Sequence, residues 1–417
     1  MTATMAYCLR CIECGKSWEP DASRYVCPAC AAAQEPGGLT RGVLAVELES
    51  LPPRLPDGLA ATCRFLPLAD ASLLPPLAIG WTPLLEVPAL RTALGMPHLY
   101  VKDDTRNPSA STKDRAAALV VAKAREYGLS TIAAASTGNA ATALAAACAA
   151  SGMKAIVFVP ASAPEAKLVQ ILSYGAQLVP VDGPYDAAFE LCLAACQRYG
   201  WYNRNTAYNP YTIEGKKTAS LEIAAQLAPS WPDAVVVPVG DGVILSGVAK
   251  GFRDLVRAGL GPRLPRLIAA QAAGSPAIYD AVRDPARVIR LHSKAASVAD
   301  SLTVSMPRNG IGCLMDLAES GGDAVLVPED EVVAAIGALA RGSGVFAEPA
   351  AATAYAGLLV ARRQGLIDAG ERVVVLITGS GLKDVRAAAR GVVRPPAVAP
   401  LIEAVDAIFG PPAGRGA

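Results

Sequence analysis

The sequence predicts an α/β protein built on two parallel sheets and preceded by a small cysteine-rich module. Three observations lead there. Apolar strand-like runs alternate with helix formers from Thr131 to Val181, a second such series runs from Asp233 to Thr378, and two Cys-x-x-Cys pairs lie within the first 30 residues. Alternation at this spacing calls for parallel strands, because each parallel pair needs a crossover long enough to hold a helix.

The N-terminal module comes first. Cys11-Ile12-Glu13-Cys14-Gly15 and Cys27-Pro28-Ala29-Cys30 form two knuckles separated by a short polar stretch. Four thiolates at that spacing suit tetrahedral zinc, which makes Cys11, Cys14, Cys27 and Cys30 the candidate ligands of a structural metal. Cys8-Leu9-Arg10-Cys11 repeats the spacing, so Cys8 is an alternative to Cys11, although Gly15 behind Cys14 favours the Cys11 pair. Two disulfides are the other reading. Met1 to Tyr7 has no basic region followed by an apolar run, so no secretory signal supports them. Arg10, Lys16 and Arg24 are opposed by Glu13, Glu19 and Asp21, which argues for structural metal rather than nucleic-acid contact. The module is assigned residues 1–38.

From Pro36 to Pro76 prolines and glycines interrupt every periodic run, so residues 39–79 read as a linker. The body begins near Gly80. Strands and helices then alternate as Thr131–Ala135, Asn139–Ser151, Ala155–Pro160, Ala163–Tyr174 and Gln177–Val181, giving a small α/β domain over 119–208. The second series is Asp233–Val239, Arg266–Gln271, the helical Asp330–Gly342 and Ala350–Arg363, and Arg372–Thr378, giving a large domain over 80–118 and 209–417. Two sheets imply a cleft between them. Cys192 and Cys196, four apart on a predicted helix, read as a buried face rather than a redox pair.

Charge excludes several classes of partner. Lys plus Arg number 38 against 37 Asp plus Glu, so no global field favours nucleic acid or an anionic membrane, and any anion site must be local. The apolar stretch from Thr131 to Gly152 is broken by Ser136, Thr137, Gly138 and Asn139, so no membrane span is expected and a cytoplasmic enzyme is.

The most specific chemical signal is Asn107-Pro108-Ser109-Ala110-Ser111-Thr112-Lys113-Asp114-Arg115. His98 to Lys102 reads as a strand and Arg115 to Glu126 as a helix, with Pro108 and Ser109 breaking the chain between them. Lys113 therefore sits at a helix start, beside free N–H groups and the positive end of a helix dipole. Both favour its neutral amine, the form that can make a Schiff base.

This segment resembles the lysine motif of the threonine synthases, members of the tryptophan synthase β-like, fold type II, family of pyridoxal-phosphate enzymes. The resemblance recurs in order downstream. Ala135-Ser136-Thr137-Gly138-Asn139 resembles the family's asparagine loop, which implies that Asn139 contacts the cofactor's ring hydroxyl and that Ser136, Thr137 and Gly138 receive the substrate carboxylate, with Ser111 nearby. Val237-Pro238-Val239-Gly240-Asp241-Gly242-Val243-Ile244 is similar to the phosphate loop, which implies cofactor contacts from Gly240, Asp241, Gly242, Val243 and Ile244. Glycine backbone before a helix N-terminus suits that task. Asp241 would repel a phosphate, so its carboxylate must point away or pair with a cation such as Lys250. Thr378-Gly379-Ser380-Gly381 resembles the segment whose threonine meets the pyridine nitrogen, and a neutral partner there suits elimination and replacement better than transamination. Gly80-Trp81-Thr82-Pro83 resembles the family's entry to the catalytic fold, with Trp81 where a smaller residue is common. An N-terminal cysteine module also occurs in many relatives.

The resemblance implies a fold type II architecture with pyridoxal 5'-phosphate in the cleft, a homodimer, and conversion of O-phospho-L-homoserine and water to threonine and phosphate. His98 and His292 are the two histidines and neither lies in a recognisable catalytic setting, so Lys113 is the expected acid and base. Two family features are missing. Relatives place an arginine shortly before the Glu-Gly of a segment matching Asn209 to Lys217, where this chain has Thr212, and Ala140 stands where threonine is frequent. Arg204 could supply the cation, with Asn205 and Thr206 as further donors, or could be a surface loop charge. The alternatives are therefore a β-eliminating ammonia-lyase for serine, threonine or diaminopropionate, a β-replacement synthase such as cysteate synthase, or a zinc-ribbon scaffold without chemistry.

Overall fold

A computed structural model of the chain describes residues 6–35, 38–163 and 165–410. Its strands in chain order are β1 (Tyr7–Cys11), β2 (Ser17–Trp18), β3 (Leu44–Leu48), β4 (Leu84–Glu86), β5 (Leu99–Asp103), β6 (Thr131–Ala135), β7 (Lys154–Pro160), β8 (Gln177–Val181), β9 (Tyr202–Asn203), β10 (Ala234–Pro238), β11 (Arg266–Ala272), β12 (Asp323–Val327) and β13 (Val373–Ile377). They form three sheets, ordered β2-β1-β3, β12-β11-β10-β13-β5-β4 and β8-β7-β6-β9.

The two larger sheets are parallel except where β4 joins β5 antiparallel at one edge. β10 (Ala-Val-Val-Val-Pro) and β13 (Val-Val-Val-Leu-Ile) are buried along their whole length, as strands covered on both faces must be. The helix Asn139–Ala150 is mostly alanine, so its backbone lies close against the helix Lys113–Glu126 and against the four-stranded sheet. Parallel α/β sheets collect their ligand sites at the carboxyl ends of the strands. Lys113 follows β5, Asn139 follows β6, Gly240 follows β10 and Thr378 follows β13, so four segments distant in sequence converge at those ends.

Two expected boundaries move. Residues 39–79 are not simply a linker: Leu44-Ala45-Val46-Glu47-Leu48 alternates buried and half-buried positions and pairs with β1 from Tyr7↔Leu48 to Cys11↔Leu44, completing the ribbon sheet. The flanking prolines and glycines lie outside this strand and leave its alternation intact. The boundary at 118 falls inside the helix Lys113–Glu126, whose second half packs with Ile132, Ala134 and Leu144 of the small-sheet side. That helix therefore spans the junction between the two sheets rather than belonging to one.

Candidate active site

The lysine loop is fixed by backbone contacts to the end of β13. Ser111 bridges Gly379, and the Thr112 N–H donates to the Thr378 carbonyl at 2.8 Å. The helix that begins at Lys113 is anchored from below by Arg115, whose guanidinium meets Asp104 Oδ1 at 2.7 Å and Glu222 Oε1 at 2.5 Å. Lys102 Nζ lies 2.7 Å from Glu222 Oε2, and all four side chains are fully buried. Such a network holds only while complete, since one missing partner strands a buried charge.

Lys113, Ser136, Thr137, Gly138, Asn139, Thr206 and the run Gly240 to Ile244 line one cavity of about 440 Å³ between the sheets. Ser111, Arg204, Asn205 and Thr378 are buried beside it. Burial pulls the Lys113 ammonium below its ordinary pKa, and Arg204 adds a like charge, while Glu348 and Asp241 oppose both. The structure thus favours the nucleophilic amine at this lysine.

Glycine is required at two points of the wall. Gly242 has φ +85 and a Cβ there would fall 2.7 Å from Cys313 Cβ; at Gly240 it would fall 2.9 Å from the Leu302 backbone. Gly242 is also the N-cap of the helix Val243–Arg257, whose first N–H groups open into the cavity end. A Cβ at Gly379, beside the cavity, would meet the Glu348 carboxylate, which would have to shift. The bare loop at a helix start fits the phosphate of pyridoxal 5'-phosphate, and the amine at Lys113 fits its aldehyde.

Asp241 does not pair with Lys250 as one expected option had it. Lys250 Nζ lies 2.5 Å from Asp254 Oδ1, in a buried cluster with Lys217 and Glu214. Asp241 Oδ1 instead accepts the Arg308 backbone N–H at 3.0 Å, and burial raises its carboxyl pKa against the pull of Arg308, Lys113 and Lys216.

Arg204 is no surface charge. It is 1% exposed, its Nη1 donates to Thr206 Oγ1 at 3.2 Å, and Nε and Nη2 have no hydrogen-bond partner among the described residues. Burial lowers its pKa to about 10, opposed by Tyr185, so it remains a cation at neutral pH. Asn205 Oδ1 accepts the Ala135 N–H at 2.8 Å and its Nδ2 is likewise unpartnered. Lys216, one turn after Thr212, reaches the same cavity and donates to the Thr212 carbonyl at 2.8 Å. Burial, then Arg204 and Lys113, hold its pKa well below the ordinary value. Buried cationic groups without acceptors are costly unless an anion meets them.

Three residues escaped sequence reasoning. Glu348 Oε1 accepts the Asn139 Nδ2 hydrogen at 2.8 Å, Lys216 lines the cavity, and Arg308 contributes both its backbone N–H and a guanidinium at the rim. Glu348 had a local signal, the Glu-Pro start of an alanine-rich helix, but that pattern marks a cap and not a partner for Asn139.

In the ribbon, the Sγ atoms of Cys11, Cys14, Cys27 and Cys30 all lie within 4.8 Å of one another. The Cys11–Cys30 and Cys14–Cys27 separations are both 3.7 Å. A tetrahedron of Zn–S bonds of about 2.3 Å has edges of about 3.8 Å, so the four thiols fit zinc, with Cys11 rather than Cys8 in the set.

The family profile described as pyridoxal-phosphate dependent enzyme matches residues 76–379. Similar sequences include the threonine synthase of Methanocaldococcus jannaschii, 36% identical with 91% of this chain and 94% of that one aligned, and that of Methanosarcina acetivorans, 35% identical over 97% and 99%. Among solved structures, the diaminopropionate ammonia lyase of Escherichia coli superposes with a TM-score of 0.66 at 18% identity, covering 82% of this chain and 93% of that one. A fungal L-serine ammonia-lyase from Rhizomucor miehei gives 0.63 at 22%, covering 74% and 96%. At those identities the structural likeness speaks for the fold alone.

Proposed function

The chain belongs to the fold type II pyridoxal-phosphate-dependent enzymes, and from that membership we propose that it is a threonine synthase, converting O-phospho-L-homoserine and water to L-threonine and phosphate. It is a lyase of the threonine synthase type acting on a phosphorylated amino acid. The observation that carries the specific substrate is the buried guanidinium of Arg204, whose Nε and Nη2 have no hydrogen-bond partner among the described residues, beside Thr206 and Lys216. A substrate with an uncharged side chain, such as serine, would leave Nε and Nη2 of Arg204 without an acceptor, whereas a phosphate monoester would satisfy them.

In this reading Gly240, Asp241, Gly242, Val243 and Ile244 hold the cofactor phosphate through backbone N–H groups at the helix start. Asn139, oriented by Glu348, meets the ring hydroxyl and Thr378 the ring nitrogen. When bound, pyridoxal phosphate supplies the electron sink that stabilises negative charge at the substrate Cα. Ser136, Thr137 and Gly138, with Ser111, receive the substrate carboxylate and so orient its Cα–H bond toward Lys113. The Lys113 amine takes the α-proton and then a β-proton. Phosphate leaves with the Cγ–O electron pair toward Arg204, Asn205, Thr206 and Lys216. Water adds its oxygen at Cβ and its proton goes to the departing phosphate, while the two protons taken at Lys113 return one to Cγ and one to Cα, completing threonine.

Heavy-oxygen water tests this route. Elimination breaks the Cγ–O bond, so label enters the threonine hydroxyl and the released phosphate stays unlabelled. Label in the phosphate, with homoserine as product, would show simple ester hydrolysis and end the proposal. Zinc in the four-cysteine site, a homodimer and a cytoplasmic setting complete the reading. No helix among the described residues is long and apolar enough to cross a membrane, which is compatible with that setting.

A further inference from the structure

The cysteine ribbon is packed against the wall of the cleft that carries Arg204. The Asn203 backbone N–H donates to the Tyr25 hydroxyl at 2.9 Å, and the Tyr25 ring stacks on Tyr208 with centroids 5.1 Å apart. Tyr25 stands two residues before Cys27, whose N–H is tied to the Gly42 carbonyl at 2.8 Å, and Val26 bridges Val43. Val43, with Ile12 of the other knuckle, packs on Ala207, Ile213 and Val243, so one apolar cluster joins both knuckles to the segment after Arg204 and to the start of the phosphate-loop helix.

A second route runs to the rim of the cleft. Glu13 accepts the Gly42 N–H, the Arg308 guanidinium donates to the Gly38 carbonyl at 3.2 Å, and Thr40 N–H donates to the Arg308 carbonyl at 3.2 Å. Arg308 in turn fixes Asp241. Arg204 Nη1 is tied to Thr206 two residues on, and Nε and Nη2 have no hydrogen-bond partner among the described residues, so the guanidinium is located by the backbone of this segment, which is held by Tyr25 at Asn203 and by the Ala133 carbonyl, 2.8 Å from the Arg204 nitrogen.

We propose that Tyr25 is a positioning residue for the anion end of the active site, and that metal bound by Cys11, Cys14, Cys27 and Cys30 acts through it on substrate affinity. The ribbon is thus part of the substrate wall rather than an appendage whose loss leaves chemistry untouched. The effect on substrate rests on Arg204 being the substrate-anion cation; the coupling of metal to the 202–209 segment does not.

The test uses full-length, cofactor-loaded enzyme in three forms: wild type with zinc, wild type stripped by chelation and then restored with zinc, and Tyr25→Phe with zinc in place. Tyr25→Phe keeps the ring stack and removes one hydrogen-bond acceptor. KM for O-phospho-L-homoserine should rise about three- to ten-fold, the loss expected for one buried hydrogen bond, while kcat stays within about two-fold. Amide exchange of Asn203 should accelerate in the variant and the stripped protein, with β10 unchanged, and zinc should reverse the stripped form. Unchanged KM and unchanged Asn203 exchange in Tyr25→Phe would overturn the proposal, as would a loss confined to kcat. If wild type does not turn over the substrate, the functional reading fails, and Asn203 exchange still decides the coupling.

Discussion

Thr112 gives its backbone N–H to the carbonyl of Thr378 at 2.8 Å, which sets Lys113 and the ring-nitrogen candidate side by side although they come from different strand ends. Since this contact is made by main chain, it survives loss of the lysine side chain. Lys113→Ala should therefore fold normally by circular dichroism, lose the visible absorption of lysine-bound cofactor, and lose turnover. Measurable turnover in that variant would remove Lys113 from its assigned role.

Glu348 holds Asn139 through a buried hydrogen bond, and burial raises the Glu348 pKa while Asn139 opposes the shift. Glu348→Ala leaves a buried amide donor unsatisfied, which costs about 1–3 kcal/mol. Cofactor titration should show affinity falling by about ten-fold or more, and Glu348→Gln, which still offers an acceptor, should lose less.

Arg204→Ala removes the charge assigned to the substrate anion. Charged hydrogen bonds contribute about 1.5–3 kcal/mol, so KM for O-phospho-L-homoserine should rise by roughly ten- to one-hundred-fold while the cofactor spectrum stays unchanged. Steady-state kinetics beside an absorption spectrum separate this outcome from general damage at the site.

Asp254 joins Lys217 at 2.8 Å and Lys250 at 2.5 Å in a buried cluster. Burial alone would raise its carboxyl, but the two lysines hold it down to about 2. Its folded value lies below its unfolded one, so the ion pairs contribute stability above about pH 4 that is lost as pH falls toward 2. Asp254→Asn should lower stability by about 3 kcal/mol at neutral pH and flatten the acid limb of the denaturation profile.

Much of this architecture was legible because it is written in local pattern. β6, β7, β8, β10, β11 and β13 are short apolar runs bounded by turn residues, and the cysteine spacing named the four thiols that the fold brings together. β3 was hidden by flanking prolines and glycines that imitate a linker. Arg204 looked ambiguous because an arginine in a polar run is ordinarily exposed, and only the tertiary fold, which ties its backbone to Ala133 of β6, buries it. Glu348, Lys216 and Arg308 gain meaning solely from neighbours remote in sequence, so no spacing rule could reveal them.

The central claim is that the buried Arg204 guanidinium turns this cleft toward a phosphorylated amino acid. Its most direct test mixes the cofactor-loaded enzyme with O-phospho-L-homoserine and measures phosphate and threonine together, with serine, threonine, phosphoserine and diaminopropionate in parallel. Equal amounts of phosphate and threonine are the expected result. No phosphate from O-phospho-L-homoserine, with a keto acid formed from one of the other amino acids, would contradict the account and identify an eliminase instead.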